Sequence, residues 1–258
     1  MILTSDYHTH TPYSHGKNTV LENATVAKSK GLKEIAITDH GFNHILFGLK
    51  RKKLSCLREE ITEAEKLTGV KVLMGMESNV ISADGHTDMK PEDLKYFDIY
   101  LCGIHEVLRY KSFSDMFNIM VKNYSAYKFG RRPSDKVIEN TTKTYINVIK
   151  NNPVDILTHI NYKCYCNIKE VAQCCADYGT YIEINTKKRH VSAEELNLMA
   201  STGVRFVIDS DAHSADRVGD IKLAEELLSC AGVPLEQIDN IDGRLPDFRF
   251  ARYKAEKL

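Results

Sequence analysis

The stretch DYHTHTPYSHG, residues 6–16, carries three of the chain's ten histidines, and its first part reads as a β-strand that ends in two of them. In a strand, residues i and i+2 point to one face, so His8 and His10 present two imidazoles side by side. Working outward, short β-rich apolar runs recur at 5–9 (SDYHT), 34–38 (EIAIT), 71–76 (KVLMGM), 98–103 (DIYLCG), 155–158 (DILT), 180–184 (TYIEI) and 204–209 (VRFVID). Helical spacing is plainest at 26–30, 54–67, 171–178, 194–200 and 221–228, and Gly31, Gly69, Gly179, Gly203 and Gly232 stand where helix caps belong. Alternating strands and helices imply a parallel sheet flanked by helices, and this number of units favours closure. The expectation is one α/β domain over residues 1–258, a (β/α) barrel of about seven strands. Residues 106–152 exceed what a crossover needs and predict a helical insert forming a lid or cap. The chain from about 234 onward reads as a C-terminal extension, on the surface or in an oligomer contact.

Composition narrows the function classes. Lys+Arg and Asp+Glu both count 35, which offers no overall basic field for nucleic acid. The hydrophobic share is 43%, and no apolar run approaches the roughly 18 residues of a membrane span. The first residues, MILTSDYHTH, lack the basic start, apolar middle and cleavage site of a signal peptide, so a cytoplasmic location is expected. Seven cysteines are an odd number in a chain too large to need disulfide staples, and they read as reduced thiols. Cys164, Cys166, Cys174 and Cys175 lack the paired spacing of a structural zinc site.

Barrel active sites lie at the C-terminal ends of the strands, and there the sequence is regular. Strand two ends in Asp39-His40-Gly41, strand three in Glu77, strand four in His105-Glu106, strand five in His159, strand six in Glu183-Ile184-Asn185 and strand seven in Asp209-Ser210-Asp211-Ala212-His213. His15 adds an imidazole in the turn after strand one. Imidazole and carboxylate together suit Zn, Mn or Fe better than Mg or Ca. Nine candidate ligands, seven histidines with Glu77 and Asp211, exceed one four-coordinate ion, and three ions with a bridging carboxylate is the economical count. His44, His86 and His190 read as surface or supporting residues, and Asp6 and Asp39 as acceptors that orient imidazoles.

The motifs HTHTPYSHG, ITDHG, GMES, GIHE, LTHI and DSDAH, in this order over roughly residues 5–225, resemble the PHP (polymerase and histidinol phosphatase) family, and among its members the stand-alone bacterial phosphatases. The resemblance implies a distorted (β/α)7 TIM-like barrel, phosphoester hydrolysis and three divalent metal ions (Zn, Mn or Fe). Carried over by motif, His8, His10 and Asp211 would hold one ion, and Glu77 would bridge it to a second held by His105 and His159. His15, His40 and His213 would hold the third. Glu77, Asp211 and His213 would thus act in catalysis through a metal-activated hydroxide. Family histidinol phosphatases often carry PHG in the first turn and EH after strand two, whereas this chain has SHG and DHG.

Clustered cations can polarise a phosphoryl group and acidify a water, which phosphate-ester hydrolysis exploits. The expected substrate is a small phosphorylated metabolite: histidinol phosphate, a sugar phosphate or a nucleotide. Arg217, Arg131, Lys187, Lys188, Arg189 and Arg132 are the groups able to meet its phosphate, Arg217 foremost for its bidentate fork and its nearness to the ligands. Tyr110, Lys111, Tyr124, Tyr127 and Arg131 of the insert could close over the substrate. Two alternatives stay open: an amidohydrolase-type deaminase or lactonase, and a metal-stabilised accessory module for nucleic-acid processing. Assembly as a homo-oligomer is also left open.

Overall fold

The computed structural model describes residues 1–257. Seven parallel strands follow one another around a nearly closed barrel in chain order: β1 (Ser5–Thr9), β2 (Glu34–Ile37), β3 (Lys71–Asn79), β4 (Ile99–Gly103), β5 (Ile156–Leu157), β6 (Tyr181–Asn185) and β7 (Phe206–Asp209). The seam between β7 and β1 closes through two backbone bonds, His10 N to Ala212 O at 2.8 Å and Ala212 N to His8 O at 3.1 Å. Outside the sheet lie α1 (Val20–Ser29), α2 (Leu54–Thr68), α3 (Phe113–Asp115), a π-helical turn (Met116–Val121), α4 (Lys122–Lys128), α5 (Asp135–Asn151), α6 (Ile168–Tyr178), α7 (Ala193–Ala200), α8 (Lys222–Cys230) and α9 (Arg249–Lys257). Helix α1 begins earlier than its apolar spacing predicts because Thr19 and Glu22 form a capping box. Among the described residues no helix is long and apolar enough to cross a membrane.

Alternation divides each strand between two apolar layers. Tyr7, Ala36, Ile99, Leu101, Ile156, Tyr181 and Val207 fill the barrel, while residues such as Ile35, Met74, Cys102, Ile182 and Ile208 face the helices. β1 departs from strict alternation. Asp6 pairs with Ile35 and Thr9 with Ile37, so β1 holds one residue more than β2 over this span. This bulge lets Tyr7 and His8 both face the interior, Tyr7 toward the apolar base and His8 toward the upper rim.

Two expectations are corrected. The chain beyond 234 is anchored to the barrel by a few side chains, although helix α9 stays largely exposed: the Phe248 ring packs edge-on against Tyr7 at 4.9 Å and Tyr181 at 5.7 Å. Phe250 is fully buried, and Asn240 bridges the carbonyls of Ser5 and Ile208. Within residues 106–152, α5 is the ordinary β4-to-β5 crossover helix, packed beside α6, and only α3 to α4 is added structure.

Asp155, at the start of β5, ties the C-terminal segment to the sheet by accepting the N–H groups of Phe250 at 2.8 Å and Tyr100 at 3.0 Å. Burial pushes its carboxyl up to about 7 against the usual 3.8, so the stability held by the protonated form is lost as pH rises through about 7. Asp155→Ala leaves two buried donors without acceptors and is expected to cost about 2–5 kcal/mol. Thermal melts at pH 6 and 8 check both points: the variant melts lower and with a flatter pH dependence, and an unchanged melting temperature contradicts the role.

Candidate metal centre

The upper ends of the strands converge on Glu77, which is 1% exposed. Its Oε1 lies 2.8 Å from His105 Nε2, 2.7 Å from His159 Nε2 and 3.3 Å from His8 Nε2. Its Oε2 lies 2.8 Å from His40 Nδ1 and 3.7 Å from His10 Nε2. Asp211 forms a second focus: its Oδ1 is 3.4 Å from His10 Nε2, 3.8 Å from His8 Nε2, 3.3 Å from His213 Nδ1 and 3.1 Å from Lys187 Nζ. Strand alternation explains the His8–His10 pair, whereas His159 and Asp211 reach inward through left-handed backbone, with φ of 27° and 49°. Two such residues at one rim mark a place where the fold holds unfavourable backbone for the sake of a site.

The donor set fits divalent metal. His8 Nε2, His10 Nε2, His40 Nδ1 and Glu77 Oε2 are buried without a hydrogen-bond partner of acceptable geometry, although they crowd one small volume. Orphaned polar atoms are costly in a protein interior, and a cation shared among them removes that cost. Three sets of ligand atoms lie within 4.8 Å of one another: His8, His10 and Asp211; His40, Glu77 and His105; and His10, His40 and His213. The ring of His15 stands largely exposed at the rim, stacked on His40 at 4.9 Å and edge-on to His213 at 4.1 Å, and it enters none of these sets.

Electrostatics follow from burial and two carboxylates. Burial pushes His40 down to about 3 and lowers His10 well below its ordinary value, and partial desolvation at the crowded rim, with His213 and Lys187 beside it, lowers His15 to about 4; each shift favours the neutral imidazole, the form that binds metal. Burial alone would raise Glu77, but His105, His8 and His40 outweigh it and hold the carboxyl well below the usual range. For His8, burial opposes the protonated form, and Glu77, Glu183 and Asp211 overcome it.

A cleft of about 400 Å³ opens onto this cluster. Leu46 and Phe47 from the segment after β2, with Val107, Tyr162 and His190, form its walls, and Lys187 and Lys188 stand at its edge. The 44–47 segment carries no sequence motif; its place is set by Asp88, which accepts the N–H of Asn43 at 2.8 Å and the amide of Asn79 at 2.6 Å. Lys187 is therefore the sequence-expected cation that reaches the cluster. Arg217 does not, because its guanidinium is spent on the Asp220 carboxylate and the Thr186 carbonyl. Arg189 lines a separate cavity with Val191, Ser192 and Glu194. Arg131 and Arg132 line a larger cavity of about 1110 Å³ between the insert and α6–α7, with Asp135 and Glu139 nearby. None of the orphaned buried atoms among the described residues belongs to that cavity, so size alone does not locate the chemistry. Of the insert residues expected to close over a substrate, Tyr110 instead donates to the His105 carbonyl at 3.2 Å, Lys111 lies beside His86, and Tyr127 lines the larger cavity. Asp6 and Asp39 bind backbone N–H groups of Gly219 and Thr11 rather than imidazoles, and beside the candidate ligands Glu77 and Asp211 the carboxylate that meets a ring is Glu183.

The PHP domain family matches residues 6–187. A protein of Thermoanaerobacter sp. (strain X514) named "probable phosphatase" is 32% identical over 96% of this chain and 95% of its own length. Another of that name, from Caldanaerobacter subterraneus subsp. tengcongensis, is 33% identical over 92% of this chain and 87% of its own. The crystal structure of histidinol phosphate phosphatase from Lactococcus lactis subsp. lactis, complexed with zinc, L-histidinol and phosphate, superposes with a TM-score of 0.61 at 17% identity, covering 91% of this chain and 95% of that one. The six sequence motifs, the barrel that gathers them at one rim and these similarities agree: the chain belongs to the PHP family.

Proposed function

We propose that this protein is a metal-dependent phosphatase that hydrolyses a small phosphomonoester, with histidinol phosphate, a sugar phosphate and a nucleotide as the candidate substrates. The observation that carries the reading is the group of buried, unpartnered imidazole and carboxylate atoms around Glu77. The names of the relatives, phosphatases that align over nearly their whole length, point the same way.

His8, His10 and Asp211 would hold one ion, and Glu77 with His105 and His159 a second. His40 and His213 would hold a third together with His10 or His15. Bound cations supply neutralisation of phosphoryl charge and a water acidic enough to act as nucleophile near neutral pH. The chain's own side chains do the rest. Lys187, its Nζ 3.1 Å from Asp211, donates to a phosphoryl oxygen placed over the cluster. Phe47 and Tyr162 give the organic portion apolar surface and shield the cluster from bulk water, which strengthens every charge interaction inside. Leaving-group selectivity then resides in the 44–47 segment and Tyr162 rather than in the insert helices.

The test is elemental analysis of the purified protein together with p-nitrophenyl phosphate hydrolysis before chelation, after it and after metal restoration. Two to three Zn, Mn or Fe per chain and turnover that chelation abolishes and metal restores are expected; a full metal complement without turnover on any phosphomonoester overturns the assignment. Lys187→Ala is expected to lower kcat/KM about 10–100-fold, the loss of one charged hydrogen bond, with metal content unchanged. Unchanged kcat/KM removes Lys187 from the site.

A further inference from the structure

β6 supplies none of the nine candidate ligands, yet its inner face touches three of them. We propose that Glu183 and Asn185 act as a positioning pair that sets the His8 tautomer and locks His8, His159 and Asp211 into one arrangement; the proposal rests on the metal-centre reading above. The two residues stand at i and i+2, so both side chains point into the barrel, and both are buried.

Glu183 divides its oxygens between two ligands. Oε1 lies 2.5 Å from His8 Nδ1, while Oε2 accepts the backbone N–H of His159 at 2.6 Å and the Asn185 amide at 3.1 Å. A carboxylate that accepts from Nδ1 keeps a proton on that nitrogen, so the nitrogen His8 has free to offer a cation is Nε2, the atom that faces Glu77 at 3.3 Å and Asp211 at 3.8 Å. The bond to His159 N–H acts on the backbone itself, at the residue whose φ of 27° turns its ring toward Glu77. Asn185 extends the network with its amide, 3.2 Å from Oδ2 of Asp211, the other left-handed ligand. Both Glu183 oxygens are thus occupied by N–H donors, which makes it a support rather than a ligand, although its sequence position at a strand end resembles that of Glu77.

The test measures metal affinity and tautomer. In the zinc-loaded wild type, histidine ¹⁵N spectra are expected to show a protonated Nδ1 on His8. Glu183→Gln is expected to weaken zinc binding 10–100-fold in competition with a chromophoric chelator and to disturb that signal, while the zinc-free proteins melt at similar temperatures. If Glu183→Gln does not fold, the wild-type tautomer and Asn185→Ala, expected to bind zinc about tenfold more weakly, decide the matter. A wild type with Nε2 protonated, or variants that bind zinc as tightly as the wild type, overturns the positioning role and leaves the metal centre standing. A wild type that binds no divalent metal overturns both.

Discussion

Glu77→Gln is expected to leave the chain unable to retain its metal ions through desalting and to reduce phosphomonoester turnover by about 10³-fold or more. The size follows from how many partners one carboxylate serves: five imidazoles, those of His8, His10, His40, His105 and His159, lie within 3.7 Å of its two oxygens. Losing a partner that only orients a ligand costs 10–100-fold in affinity or activity, and losing one preorganised charge-stabilising group costs about 10²–10³ in kcat. In the proposed centre Glu77 belongs to a stronger class, because its negative charge would offset the ions held by the imidazoles around it. An amide of the same shape keeps the packing but presents N–H to imidazole nitrogens, so the fold should persist while the centre does not. Elemental analysis, circular dichroism and turnover on one sample separate these effects. Wild-type metal content in the variant refutes the placement of Glu77 at the heart of the cluster.

The strands, and the candidate ligands at their ends, could be read for the same reason. Parallel strands covered on both faces appear as short apolar runs, and a candidate ligand at a strand end stands one or two residues beyond its apolar run, as Glu77 and His40 do. What escaped depends on partners distant in sequence. The β1 bulge exists only in the register of β1 against β2, and no single-strand pattern contains it. Glu183 and Glu77 look alike in sequence, each a carboxylate at a strand end, and only their neighbours differ: a backbone N–H and an amide share an oxygen of Glu183, whereas the unpartnered ring nitrogens of His8, His10 and His40 crowd Glu77. Arg217 shows the opposite error. Four residues from His213 is near in sequence, but the 3₁₀ turn at Ala215–Arg217 directs the guanidinium to Asp220. The chain from about 234 read as an extension, yet the Phe248 ring meets Tyr7 edge-on and Phe250 is fully buried, partners that lie far away in sequence.

Gly103→Ala tests the other half of the site's construction, the space that must stay open for the ligands to meet. A Cβ on Gly103, the last residue of β4, would collide with Thr158 Oγ1 and lie 2.9 Å from His159 Cε1 and 3.4 Å from His105 Cε1. Each of these three residues reaches the same carboxylate oxygen of Glu77, Thr158 at 3.3 Å, His159 at 2.7 Å and His105 at 2.8 Å. One methyl group would therefore press on two partners of Glu77, Thr158 and His159, and come into contact with a third, His105. Overpacking of this kind costs about 1–3 kcal/mol of stability. The functional loss should be larger, because a displacement of about 1 Å among reacting groups costs about 10²-fold in rate. The expected result is a folded protein with a modestly lowered melting temperature, at least one ion fewer per chain and turnover down about 10²-fold. Adding Thr158→Ala removes the tighter of the two clashes and should recover part of the stability but little of the turnover, since His159 remains displaced. Full metal content and wild-type turnover in Gly103→Ala would mean that the rings can yield by some tenths of an ångström without cost, and that the geometry around Glu77 is set by the carboxylate rather than by the space β4 leaves open.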